Sequence, residues 1–235
     1  MNRIVRRAFV ALCMFGSVIT QLFAQFQPIS TPGAIAGLFG SNNAFTAAAT
    51  TKILDPQQQT EIMVMPMTYA FLAGKARSEV DMTQVSGKSL APGSNAIFKQ
   101  MGVDRMVTIT RPDKQVMIIV YPGLASYAET PLSAADVQTA NAGTEMVDGH
   151  PCRKEKLTIS SRDNKQEGFV WRATDLKDFP IKIQLSHTNG ATVTSYTNIK
   201  FDKPDLKLFE PPVEFDKYDS VEQMLQVGMM KRLPR

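Results

Sequence analysis

Turn signals punctuate this chain about every ten residues, and between them lie segments rich in β-branched, methionine and aromatic residues. This is the signature of an antiparallel β protein. Asn189-Gly190, a strong two-residue hairpin turn, separates Ile181–Thr188 from Ala191–Phe201. Ala73-Gly74 separates Glu61–Leu72 from Lys75–Met82, and Pro112-Asp113 separates Arg105–Arg111 from Lys114–Tyr121. Arg153–Ser161 and Gln166–Ala173 pair around Arg162-Asp163-Asn164, and Ala44–Ile53 reads as a first strand. About nine strands are predicted, with few helices. Ser220–Met230 places Val221, Met224, Leu225 and Met229 on one stripe behind a Ser220 N-cap, Ser133–Ala142 reads as a weaker helix, and a helical turn is expected around Ala96–Met101.

The strands differ in their faces. Ile181, Ile183 and Leu185 alternate with Lys182, Gln184 and Ser186, one face buried and one wet. In Glu61–Leu72, Met63, Met65, Met67, Tyr69 and Phe71 share one face while Ile62, Val64, Ala70 and Leu72 share the other, and Val116–Tyr121 is apolar on both sides as well. Both faces of such strands need cover, from helices, from irregular chain or from a ligand. The 87–103 connection, long and bearing Gly and Pro, is the candidate lid.

The ends are organised differently from the body. Residues 1–24 carry Arg3, Arg6 and Arg7, an apolar run from Ala8 to Phe23, and Ala24 before a polar stretch, which predicts a secretory signal peptide cleaved after Ala24. Leu22 stands where a small residue is preferred, and an uncleaved run would act as an anchor. Residues 25–43, with Pro, Gly, Ser and Asn around isolated apolar residues, read as a flexible linker; 44–217 as the β domain; 218–235 as a helix and basic tail. The formal charge of +4 comes from the termini, because residues 8–230 carry −2. A nucleic-acid partner is therefore not expected. Cleavage removes Cys13 and leaves Cys152 as the single thiol, unable to form an internal disulfide. No transmembrane span is expected after cleavage.

Reactive groups are scarce. The chain has two histidines, and no phosphate loop, nucleophile elbow or zinc-binding helix motif is present. No cofactor and no metal site is expected. His150 beside Cys152 is the one dense cluster; it reads either as a thiolate–imidazole pair or as a turn leading into a strand with a core cysteine. Arg77, Glu79 and Asp81 alternate along one strand face, as charges on a solvated side do. Methionine is the unusual resource, with 13 residues; flexible and polarisable, it suits a surface that repacks around apolar ligands, or simply fills a core.

Several segments in order resemble a known family. They are Gly74-Lys75-Ala76-Arg77-Ser78-Glu79-Val80; Ile109-Thr110-Arg111-Pro112-Asp113-Lys114 leading to Tyr121-Pro122-Gly123; Val147-Asp148-Gly149-His150-Pro151-Cys152; Val170-Trp171-Arg172-Ala173 with Phe179-Pro180-Ile181; and Phe201-Asp202-Lys203-Pro204-Asp205-Leu206 with Leu208-Phe209-Glu210-Pro211-Pro212. Together they resemble the LolA-like superfamily of bacterial envelope proteins, and within it the DUF4412-type secreted proteins, over about residues 44–217. The resemblance implies a mainly β (α+β) fold: a curved antiparallel sheet, or incomplete β-barrel, covered by a few helices. It also implies a periplasmic or outer-membrane-associated protein.

The function expected from this resemblance is non-catalytic binding of a hydrophobic ligand, a lipoprotein acyl chain or a lipid, in the concave face, with an envelope protein as possible partner. The candidate lining residues are Met63, Met65, Met67, Tyr69, Phe71 and Trp171. The alternatives are an envelope interaction or stress-sensor module with no stored ligand, and an enzyme using Cys152 and His150. The first of these expectations to check is processing: N-terminal sequencing of the exported protein should begin at Gln25, and a start at Met1 would refute cleavage.

Overall fold

Hairpin follows hairpin along this chain until twelve strands, among the described residues, share one open sheet. The computed structural model describes residues 32–40, 42–57, 59–161, 165–187 and 190–232. The chain divides after Pro32, and the unit Gly33–Arg235 is the one described below. The expected signal peptide lies outside the described residues, as do the expected turn residues Arg162, Asp163, Asn164 and Asn189.

The strands are β1 (Ala44–Leu54), β2 (Glu61–Leu72), β3 (Lys75–Asp81), β4 (Arg105–Arg111), β5 (Val116–Tyr121), β6 (Ser126–Pro131), β7 (Asp136–Val147), β8 (His150–Ser160), β9 (Lys165–Ala173), β10 (Phe179–His187), β11 (Gly190–Lys200) and β12 (Asp216–Tyr218). Their order across the sheet is β12-β6-β5-β4-β3-β2-β1-β11-β10-β9-β8-β7. Neighbours are antiparallel except β12, which runs parallel to β6. Two hairpin series, β2 to β6 and β7 to β11, thus meet where β1 lies between β2 and β11. Among the described residues three helices accompany them: α1 (Pro32–Gly37), α2 (Ser94–Met101) and α3 (Val221–Met230). The Ser220 side chain accepts from the Gln223 amide and so caps α3.

The turns explain the registers. Ala73 and Gly74 both adopt positive φ, the geometry that matches the twist of a two-residue hairpin. Pro112–Lys114 is a single 3-10 turn closed by Gln115 in the left-handed region, so β5 begins at Val116 rather than at Lys114. The same device, Pro122–Leu124 followed by left-handed Ala125, joins β5 to β6.

The doubly apolar strands do receive cover on both sides. Register places Ala70, Leu72, Val107, Ile109, Ile118 and Val120 on one face, hereafter the outer face, where they bury Phe209 from the Leu206–Phe209 turn. Arg111, its side chain 6% exposed, fastens this cover. It donates to the Phe209 carbonyl at 3.1 Å and to Glu210, and forks onto both oxygens of Asp113 at 2.9 and 2.8 Å.

Three expectations are corrected. Ser133–Ala142 is not a helix, since Asp136–Val147 forms edge strand β7, exposed along almost its whole length. With both faces wet it carries no alternation, and its alanines suggest a helix. Ser126–Pro131 and Asp216–Tyr218 are further strands that the turn spacing does not reveal. The last part of the expected linker is structured: α1 is followed by Leu38 and Phe39, both buried, while residues 25–31 lie outside the described residues.

Two outcomes follow. Phe209→Ala should lower the stability measured by urea unfolding by about 3–5 kcal/mol, the usual cost of emptying a buried phenylalanine site. The hydrogen bonds from Arg111 lower the Asp113 pKa from 3.8 to about 2, so its folded value lies below its unfolded one. Its contribution is therefore full above the unfolded value and is lost as pH falls toward the folded value. Between those two values the stability of Asp113→Asn should fall less steeply with acid than that of the parent.

Candidate functional site

On the inner face, opposite the Phe209 cover, register sets Met63, Met65, Met67, Tyr69 and Phe71 of β2 directly against Ile53, Thr51, Ala49, Ala47 and Phe45 of β1. Beyond β1, Thr51 faces Thr194 and Ala49 faces Tyr196 on β11, and Thr194 in turn faces Ile183 on β10. Small residues on β1, Ala47, Ala49 and Thr51, stand between bulkier ones on β2, β10 and β11, so the inner face dips along β1 in a trough whose floor is buried under protein. The Thr51 and Thr194 hydroxyls on it pair with each other, 2.8 Å apart. What the trough offers a ligand is apolar surface.

The trough ends in an aromatic cluster. The Phe39 ring centroid lies 4.7 Å from Phe45, 5.1 Å from Phe71, 5.5 Å from both Tyr69 and Phe179, and 5.6 Å from Tyr196. On a flat sheet β2 and β10 would lie ~14 Å apart. Rings from both reach the same partner, as side chains do on a concave surface. Burial raises the Tyr69 pKa well above the ordinary tyrosine range, with the neighbouring Tyr196 adding to it. Both phenols are neutral at physiological pH.

The expected lining residues therefore divide. Met63 and Phe71 are buried by protein, whereas Met65, Met67 and Tyr69 are partly exposed along the trough. Trp171 is elsewhere: Ile183 faces Val170, so Val170 is on the inner face and Trp171, one residue on, is on the outer. There its indole donates to Glu145 at 2.6 Å, and the ammonium groups of Lys154 and Lys182 lie 5.0 and 4.6 Å from its ring centre. Its place beside the methionines is thus corrected. Which face a strand residue takes relative to a strand over a hundred residues away depends on register, and local sequence does not carry that.

The candidate lid is docked. β2 runs past the end of β3, and the Ser86 backbone pairs with Val64 in its place. The connection then enters α2, which buries Ser94 and Phe98. An open groove of about 390 Å³ lies on the other side of the sheet, over Thr46, Ala48, Thr68 and Ala70, rimmed by Arg77 and Lys200. Small residues on adjacent strands are its available signal, and sequence reasoning misses it. Arg77 and Glu79 meet there at 2.8 Å; burial favours the neutral Glu79 carboxyl, but hydrogen bonds from Arg77 and Arg105 outweigh it and lower its pKa.

Cys152 and His150 do not form a reactive pair in this geometry. The thiol, in a residue 2% exposed, contacts the His150 backbone carbonyl at 3.5 Å, and the imidazole bonds Asp175 at 2.8 Å. Burial raises the thiol pKa, which disfavours thiolate. Among the described residues no group of three or more His, Cys, Asp or Glu is arranged to hold a metal, and no helix is long and apolar enough to cross a membrane.

The chain is similar in fold to an uncharacterised conserved protein from Thermus thermophilus, at 12% identity over 79% of this chain and 97% of that one, TM-score 0.48. It is similar to a LolA superfamily protein from Nitrosomonas europaea, at 10% identity over 75% and 94% of the two chains, TM-score 0.40. A third is the lipoprotein LppX from Mycobacterium tuberculosis, at 10% identity over 72% and 91%, TM-score 0.35. No curated protein matches the chain. The model of the domain of unknown function DUF4412 matches residues 53–179, more than half of the sequence, and the chain belongs to that family.

Proposed function

We propose that this is a secreted envelope protein that binds an apolar ligand along the inner face of its sheet, with Met65, Met67 and Tyr69 in contact with it and Met63 and Phe71 behind them. The observation that carries this reading is a row of part-exposed, flexible methionines on the inner face, Met65 and Met67, beside the small and buried Ala47, Ala49 and Thr51 of β1. Such a surface is mainly apolar and adapts to chains of different shape. The ordered sequence motifs that resemble LolA-like proteins name a lipoprotein acyl chain or lipid as the first class to try.

Binding on this reading is burial of methylenes. Each contributes about 0.8 kcal/mol, so eight supply roughly 6 kcal/mol before the costs of association are subtracted. No bond is made or broken. Cys152 and His150 have no part in it.

A second reading, an interaction module that stores no ligand, is favoured by one observation. Among the described residues β7 is a twelve-residue edge paired on one side only, most of its residues exposed and Met146 66% so, and such an edge accepts a strand from a partner.

Titration with a fluorescent long-chain fatty acid, alongside native mass spectrometry of protein purified from the envelope, separates the two. Saturable binding is expected, weakened at least tenfold by Met65→Glu and unchanged by Lys200→Glu on the outer face, both variants keeping the parent circular dichroism. A ligand-free mass and no probe binding would overturn the ligand reading and favour the interaction module.

A further inference from the structure

We propose that the segment Gly33–Gly40 is a built-in occupant of the inner trough, and that an apolar ligand enters by displacing it. This rests on the apolar-ligand reading above and adds how the site is regulated. Phe39 is fully buried, and its ring touches five others, two of which, Tyr69 and Phe71, belong to the proposed lining row. The ring belongs to neither the sheet nor a hairpin. It is brought in from outside, by a chain that runs through α1 and then into β1.

The way this segment is held differs from the way the strands are held. No ladder of backbone bonds joins Gly33–Gly40 to the sheet; α1 has six residues, about half the length at which an isolated helix becomes even marginal in water. Its described polar ties to the sheet side are few. Arg172 donates to the Leu38 carbonyl at 2.7 Å, and the Asn42 amide bridges the Phe39 carbonyl and the Lys177 carbonyl, each at 3.2 Å. The rest is apolar contact by Ala34, Ile35, Ala36, Leu38 and Phe39.

Apolar contacts are the kind that an acyl chain can replace one for one, because they have no directional requirement. A ligand that takes the place of Phe39 regains against the same rings what the segment gives up. The strands need not separate. With the segment in, an otherwise empty apolar surface is covered, which suppresses aggregation of the free protein. Occupancy by the segment also lowers the apparent affinity of a ligand by the fraction of molecules in which the trough is open.

The test compares the parent protein with Phe39→Ala and Phe209→Ala, using the same fluorescent long-chain fatty acid. Phe39→Ala weakens the occupant, whereas Phe209→Ala makes a comparable cavity under the opposite face. Expected is a gain of at least tenfold in affinity for Phe39→Ala alone. In the parent, hydrogen exchange at the Leu38, Phe39 and Asn42 amides, which bond back to Ile35, Ala36 and Phe39, should accelerate when probe binds.

Slower or unchanged exchange at these amides on binding, or no gain for Phe39→Ala over Phe209→Ala, would overturn the displacement proposal while leaving the ligand reading intact. No binding by the parent or by Phe39→Ala would overturn both.

Discussion

A sheet that stays open has no second sheet to bury its apolar faces, so the covering has to come from whatever chain the strands do not use. Here that constraint governs the middle of the molecule, where β2 and β5 are apolar on both sides. The outer face takes the turn carrying Phe209, and the inner face takes the segment carrying Phe39. Both rings are essentially inaccessible to solvent. Each arrives from a stretch that, read alone, has no helical or strand period.

The two covers are fastened alike. On the outer side Arg111 donates to the Phe209 carbonyl and is held by Asp113 and Glu210. On the inner side Arg172 donates to the Leu38 carbonyl and is held by Glu155, itself shared with Arg153. A guanidinium has enough donors to pair with a carboxylate and still reach a backbone carbonyl, which an ammonium does less well in a fixed geometry. The carboxylates offset the cost of burying the arginine, and the arginine satisfies a carbonyl that irregular chain would otherwise leave unpaired. The fastenings differ in number: on the outer cover Arg77 also donates to the Leu208 carbonyl at 3.2 Å and Lys114 reaches Glu210, while the inner segment is tied by Arg172 and Asn42.

Much of this architecture is legible in the sequence where information is local. The turns at Ala73-Gly74 and Pro112-Asp113 mark real connections, and alternation in Ile181–Leu185 and double coverage in Glu61–Leu72 identify which faces are buried. The Ser220 cap places α3 within a residue. What fails is information that local pattern does not hold. β7 lies at an edge with both faces in water, so no period survives selection for burial, and its Ala-bearing sequence imitates a helix. Phe39 looks like a stray apolar residue in a Gly- and Ser-rich stretch because its partners lie on β1, β2, β10 and β11. The methionine row reads correctly as one face, since that needs only a period of two along one strand. Trp171 does not belong with it, and seeing that needs register carried across four strand pairings.

The pairing of β1 with β11 has a consequence in time as well as in space. It joins residues such as Thr51 and Thr194 that are 143 positions apart, and the inner cluster is completed only when Phe179 and Tyr196 meet rings from the first two strands. Each hairpin series forms from near neighbours, but the seam between them must close a loop spanning most of the domain. High contact order of this kind slows folding. An emerging chain therefore presents β1 as a bare edge until its last long hairpin is made, and the seam is the step at which folding competes with association between chains.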